Sequence, residues 1–233
     1  MTPIQRALPL VNQVYEHLRA AILSGELRPG EKIVETKLAA ELAVSRSPVR
    51  EAMRLLTNDQ LLVEQGGALH VFVPTIEDFH ELSDLRLAIE PAAAALAARR
   101  FEQIDDEHLQ ANLEATEACL ASGDRHGIVP LNNQFHQSIW LCGGNSRFVR
   151  IMENVSALIQ YYGALVLDIN NQQTNILQEH GEIYTALKAG DETAARDAMY
   201  RHILKDLQVI ERFVAKYGGT ILNFPYFVPS QEK

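Results

Sequence analysis

Two helical periodicities lie side by side with only a short break, around Ala43 to Ser45, between them. Residues 34–44, VETKLAAELAV, carry Leu38, Ala39 and Leu42 at helical spacing, and residues 44–56, VSRSPVREAMRLL, place Val49, Ala52, Met53 and Leu56 on one face. The pair predicts a helix-turn-helix, with Ala43 where a turn glycine is usual. In the second helix Arg46, Arg50 and Arg54 recur every four positions and drift only about 40° per step, so they form one outward stripe. Ser47 followed by Pro48 suits a helix start, because serine can cap free N–H groups and proline needs no partner there. Arg46 and Arg50 then occupy the first turn, where the helix dipole favours anions. A phosphate or a base edge docked at that end resolves the conflict. The alternative is a solvated face whose arginines pair with Glu51 or Glu41.

The flanking segments decide between these. Upstream, residues 11–27 put Val11, Val14, Leu18 and Ile22 on one face, stop at Gly25 and lead into a Pro29-Gly30 turn, which predicts a third helix. Downstream, two short β-prone runs, LLVEQ and ALHVFVP, are split by Gly66-Gly67 as in a tight hairpin. Three helices and a hairpin make a winged helix. The segments LRAAILSGELRPGEKI and LAAELAVSRSPVREAMRLL, with the hairpin, resemble the DNA-binding domain of the GntR family of bacterial transcription regulators over roughly residues 8–74. The resemblance implies that Arg46 and Arg50 enter the major groove of double-stranded DNA and that Ser45 and Ser47 touch phosphate. It also implies that Thr36 contacts the backbone and that the wing near Gly67 and His70 reaches the minor groove. The wing EQGGALH lacks the basic residues many relatives carry.

Charge separates the chain into two parts. Residues 1–74 hold eight Lys or Arg against eight Asp or Glu, and the rest hold thirteen against twenty-two, so the net charge of −9 resides after Pro74. An acidic second part discourages indiscriminate DNA contact while the arginine stripe keeps attraction local. Thr75 followed by Asp78 has the form of a capping box, and Glu90-Pro91 marks a kink or a fresh helix start. Every later segment reads as helix, without competing β alternation, which predicts an antiparallel all-α bundle of six or seven helices. The expected organisation is a DNA-binding domain over 1–74, a helical effector, metal and dimerisation domain over 75–217, and a tail over 218–233. In that tail Phe224, Tyr226 and Phe227 either pack on the bundle or a partner or stay mobile. The two cysteines, Cys119 and Cys142, form no ligand motif, and no apolar run approaches a membrane span, so a cytoplasmic protein is expected.

Histidines are the chemically suggestive residues of the bundle. His180 lies ten residues before Gly190 and His202 eleven after Asp191, so in an antiparallel hairpin both sit about 15 Å from the turn and can face each other. Asn132 and His136, four apart, share a face that can approach the same level. Each histidine taken alone is more often a surface or hydrogen-bonded residue than a ligand. The segments NNQFHQSIWLCGGNSRFV and EHGEIYTALKAGDETAARDAMYRHI resemble the ligand-binding domain of the FCD subgroup of GntR regulators, over roughly residues 76–216. Metal-binding members of that subgroup use an aspartate and three histidines. By resemblance these fall on Asn132, His136, His180 and His202, with asparagine in place of aspartate. Three imidazoles suit zinc or nickel, and the neutral carbonyl of Asn132 is a weaker ligand than carboxylate. Arg86 falls where relatives often have an arginine near the ligand cavity, or else it is a surface partner of Glu90 one turn on.

These features predict a homodimeric DNA-binding regulator, a repressor by expectation, that binds a near-palindromic operator under control of a small organic acid. A regulator for which the metal is itself the signal is the alternative. A metal-dependent hydrolase is a poor third, because no His-Glu-x-x-His motif accompanies the histidines and an enzyme has no use for a winged helix.

Overall fold

The computed structural model describes residues 9–169 and 174–217, which divide between two compact units, 9–73 and 74–217. The tail residues Phe224, Tyr226 and Phe227 lie outside the described residues.

The first unit is three helices and a small sheet. Helix α1 (Leu10–Leu23) is followed by strand β1 (Lys32–Ile33), α2 (Glu35–Glu41), α3 (Arg46–Asn58), β2 (Leu62–Gln65) and β3 (Ala68–Val71). The sheet has the order β1-β3-β2 and is antiparallel throughout, with Lys32 opposite His70 and Leu62 opposite Val71. Val14, Leu18 and Ile22 of α1 meet Val49, Ala52 and Leu56 of α3, and Leu38, Leu62 and Val71 close the core. A buried leucine such as Leu56 resists truncation to alanine by roughly 2–5 kcal/mol, so this small core depends on every large side chain in it. Gly66 and Gly67 both have positive φ, 60° and 74°, as the two-residue turn of a twisted hairpin requires.

Two local expectations change. Helix α3 begins at Arg46 with an extended Ser45 as its N-cap, earlier than the Ser47-Pro48 start. Pro48 fits inside the first turn because the N–H groups there have no intrahelical partner in any case. Strand β1 has no counterpart in the sequence reading; two residues show no periodicity, and it exists through its bonds to β3. At the turn itself Ala43 adopts φ 53°, a left-handed conformation that glycine accepts at lower cost.

The second unit has six helices among the described residues: α4 (Ile76–Arg100), α5 (Gln103–Ser122), α6 (Arg125–Gly143), α7 (Ser146–Ile169), α8 (Thr174–Lys188) and α9 (Glu192–Tyr217). The Thr75 hydroxyl caps α4 by accepting from the Asp78 amide at 3.0 Å. Pro91 starts no new helix; α4 runs through it for 25 residues, with Pro91 buried. Alanines 93–95, 97 and 98 keep α4 slim, so that α6 and α9 pack closely against it. A Cβ on Gly143 would stand 2.8 Å from the Ala93 carbonyl oxygen, so only glycine fits where α6 ends on α4. Phe135 and Ile139 of α6, Ile183 and Leu187 of α8, and Met199 and Ile203 of α9 fill the middle. No described helix is long and apolar enough to cross a membrane.

Candidate nucleic-acid interface and candidate metal centre

In the first unit the first turns of α2 and α3 meet. Thr36, Ser45, Arg46, Ser47 and Arg50 are all exposed there, because the apolar face of α3 turns inward and carries these residues outward. The arginines have a partner, but it is neither Glu41 nor Glu51. Glu35 accepts from Arg46 Nε at 2.6 Å, from Arg50 Nε at 2.8 Å and from Arg50 Nη2 at 3.0 Å. Those bonds, Arg50's first, hold the Glu35 carboxyl down to about 2, and Glu35 in turn raises Arg50. Gly67 is exposed at the hairpin turn. His70 lies in the central strand β3, half-buried, and its Nδ1 finds no hydrogen-bond partner among the described residues.

In the second unit three helices converge on the histidines. His136 from α6, His180 from α8 and His202 from α9 are 0%, 0% and 3% exposed, and one ring nitrogen from each lies within 4.8 Å of the others. Phe135 stacks on His180 at 3.9 Å between ring centres and fixes its plane. Two carboxylates orient the other rings. His136 Nδ1 lies 2.6 Å from Glu90 Oε2, and His202 Nδ1 lies 2.7 Å from Glu179 Oε2. Burial pushes the Glu90 carboxyl up, but Arg86 and His136 outweigh it and hold the group well below the usual carboxylate range. Burial likewise raises Glu179, and its bonds to His202 and Lys205 bring it below its ordinary value. An ionised carboxylate can only accept, so each Nδ1 carries a proton and donates.

The consequence lies at the opposite ring atoms. His136 Nε2 and His202 Nε2 face each other at 3.2 Å. In neutral rings both are bare lone pairs, and such a pair needs a proton or a cation between its members. Two nitrogens bound to one tetrahedral zinc ion at about 2.05 Å stand about 3.3 Å apart. Burial lowers the pKa of His136 and drives that of His180 well down, which favours the neutral, ligating forms. Neither nitrogen of His180 has a hydrogen-bond partner among the described residues. Two buried orphan nitrogens are costly, and a cation beside one of them removes part of that cost. The donor set therefore fits a late transition-metal dication with carboxylates behind two of its three imidazoles, the arrangement that fixes tautomer and raises ligand basicity.

Arg86 is not on the surface. It is buried, donating from Nε to Glu90 Oε1 at 2.6 Å and from Nη1 to Asp206 Oδ2 at 3.3 Å, while Nη2 has no hydrogen-bond partner among the described residues. Burial opposes its charge, and Glu90 and Asp206 more than compensate. Asp206 Oδ2 also stands 3.9 Å from His202 Nε2, so the unused guanidinium donor and the histidine cluster are neighbours. Asn132 is half-buried on α6, with its amide nitrogen 3.5 Å from the place a Cβ on Gly163 of α7 would take. Glu35, Glu179 and Asp206 have no counterpart in the sequence reading, and Glu90 figures there only as a surface partner of Arg86; the available signals were Glu179 beside His180, and Asp206 one turn beyond His202.

Comparison with known proteins matches both units. The family described as bacterial regulatory proteins, gntR family, covers residues 10–71, and the FCD domain covers residues 81–205. The HTH-type transcriptional regulator YdhC of Bacillus subtilis (strain 168) is 30% identical over 207 residues, 88% of this chain and 92% of that one. The HTH-type transcriptional repressor RspR of Escherichia coli (strain K12) is 25% identical over 203 residues, 87% of this chain and 89% of that one. The solved structure of E. coli McbR/YncC superposes with a TM-score of 0.74 at 23% identity, covering 89% of this chain and all of that one, a likeness of fold. A winged helix with an exposed arginine pair, joined in one chain to an FCD bundle, is thus placed by its relatives among regulators rather than enzymes: the chain belongs to the GntR family of bacterial transcription regulators and binds DNA through its N-terminal helix-turn-helix.

Proposed function

We propose that the chain is a repressor that reads a near-palindromic operator as a homodimer. A small organic acid, bound in the bundle beside a zinc or nickel ion on His136, His180 and His202, sets its operator affinity. The observation that carries the reading is the buried histidine cluster, with two Nε2 atoms 3.2 Å apart and both nitrogens of His180 unpartnered. Thr36, Ser45, Arg46, Ser47 and Arg50 are the proposed DNA contacts of α2 and α3, and Gly67 and His70 those of the wing. One winged helix reads few base pairs, so specificity calls for two copies presenting α3 to half-sites about 34 Å apart. The sign of control follows the relative named as a repressor. The acid's carboxylate is met by the unused Nη2 of Arg86 and by the ion, with Asn132 a weak additional oxygen ligand.

The test is linkage. An operator selected from a randomised duplex library is titrated with metal-free and with zinc-loaded protein, in the presence of a panel of mono-, di- and tricarboxylic acids. An acid that changes operator affinity by some factor must have its own affinity changed by the operator by the same factor, and only in loaded protein. Metal-free protein that responds equally well overturns the role of the ion. Complete burial of the three rings supports a second reading, in which the ion itself is the signal. In that case zinc alone shifts operator affinity and no acid adds to it.

A further inference from the structure

Helix α3 opens on Arg46, carries Arg50 one turn on and has no acidic residue in its first turn, an arrangement its dipole disfavours. The anion that resolves this belongs to the neighbouring helix. Glu35, the first residue of α2, takes three hydrogen bonds from the two guanidinium groups at 2.6 to 3.0 Å. Its side chain is 19% exposed beneath arginines that are 61% and 66% exposed, so the guanidinium groups cover the carboxylate and face solvent.

We propose that Glu35 is a positioning and specificity-determining residue for DNA: it holds Arg46 and Arg50 in one arrangement, and it cancels charge that would otherwise bind any phosphate backbone. The inference rests on α3 being the DNA-reading helix. A free arginine side chain has many rotamers, and each one immobilised on binding weakens the complex, so pre-arranged arginines favour base contacts. Glu35 engages Arg46 through Nε alone, which leaves both Nη groups of Arg46 free of it for a two-point contact with a guanine edge. Non-specific affinity depends instead on the number of phosphates neutralised. With Glu35 between them the two arginines present one net positive charge where they would otherwise present two. A duplex with matching base acceptors engages the guanidinium donors that Glu35 leaves free, whereas an arbitrary duplex offers phosphates that the carboxylate repels. Glu35 is thus the repulsive element that separates right from wrong DNA.

The experiment uses the full chain and two probes: the duplex that the wild type selects from a randomised library, and the unselected library itself. Affinities are measured across a salt series for wild type, Glu35→Gln and Glu35→Asp, after confirming equal thermal midpoints. Glu35→Gln is expected to bind the unselected library more tightly with a log–log salt slope steeper by about 1. Its selected-to-unselected affinity ratio is expected to fall about tenfold. Glu35→Asp keeps the charge and so keeps the slope, but it reaches fewer arginine donors and loses affinity for the selected duplex alone. An unchanged ratio and slope in Glu35→Gln overturn the proposal, as does an equal loss on both probes, which would make Glu35 a tie between α2 and α3. Failure of the wild type to select any sequence overturns instead the DNA-reading role on which the inference rests.

Discussion

Replacing Glu90 with Gln perturbs the most heavily used carboxylate in the bundle. Glu90 is fully buried and accepts from Arg86 Nε and His136 Nδ1, both at 2.6 Å, and from Trp140 Nε1 at 3.4 Å. Glutamine keeps the shape but removes the charge and offers one carbonyl oxygen in place of two. Breaking a buried ion pair from one side typically costs about 3–5 kcal/mol, because the other charge is left behind. Here Asp206 stays 3.3 Å from Arg86 and offsets part of that, so the expected loss is about 3 kcal/mol. In a unit of this size 1 kcal/mol moves the thermal midpoint by about 2–4 °C, so the bundle transition of metal-free protein should fall by about 10 °C. The readout is far-UV circular dichroism during heating, with urea unfolding as a check. Adding Arg86→Met to Glu90→Gln should recover part of the loss, since it removes the uncompensated cation. In the same variant the His136 ring loses the partner that fixes its tautomer, and zinc affinity should drop about 10–100-fold. A Glu90→Gln protein that melts within a degree of wild type and binds zinc equally would refute the argument that these carboxylates hold both the arginine and the histidine in place.

Three further outcomes follow from other parts of the molecule. Ala43→Gly should stabilise the first unit by about 0.5–1 kcal/mol, since relief of a left-handed alanine, about 1–2 kcal/mol, exceeds the added freedom of the unfolded chain; urea unfolding measures it. Arg46→Ala and Arg50→Ala should each weaken binding to a selected operator by about 1–3 kcal/mol while the bundle's thermal midpoint stays put, and two variants with unchanged binding would remove α3 from the interface. Burial lowers the folded-state pKa of His136 and His180, so the unfolded chain takes up protons first. Stability of the metal-free bundle should therefore be full above the unfolded value of about 6.5 and fall as pH drops below it. Zinc affinity of the folded chain should fade as pH falls through the lowered folded-state values of these rings, because a protonated imidazole cannot ligate.

The parts of the fold that could be read from residues alone are those with local causes. The helix-turn-helix shows in helical spacing on both sides of Ala43, and the His180–His202 pairing follows from two nearly equal distances to the Gly190-Asp191 turn; their rings indeed lie 5.0 Å apart. What escaped depends on partners distant in sequence. Strand β1 exists through Leu69 and His70, almost forty residues on. The start of α3 is not legible in the sequence because Ser45 and Ser47 are equally good caps by composition, whereas in the fold Ser45, extended two residues after the left-handed Ala43, opens the helix without a side-chain cap bond. Arg86 and Glu90 look like a surface pair at helical spacing, and only the packing of α6 and α9 against α4 buries them and adds Asp206. Glu35 was invisible for the same reason: it lies eleven and fifteen residues before the arginines it binds, and their shared position needs the turn between α2 and α3.

The most direct measurement is native mass spectrometry of the chelated full chain after stoichiometric zinc is added, alongside His180→Ala. His180 is the decisive position because its two nitrogens have no other partner among the described residues, so its removal takes a ligand without breaking a hydrogen bond. The account predicts one retained ion per chain in the wild type, with a raised thermal midpoint, and loss of both in His180→Ala. A wild-type chain that retains no ion, or a His180→Ala chain that retains it equally well, would contradict the metal centre on which the proposed control of DNA binding depends.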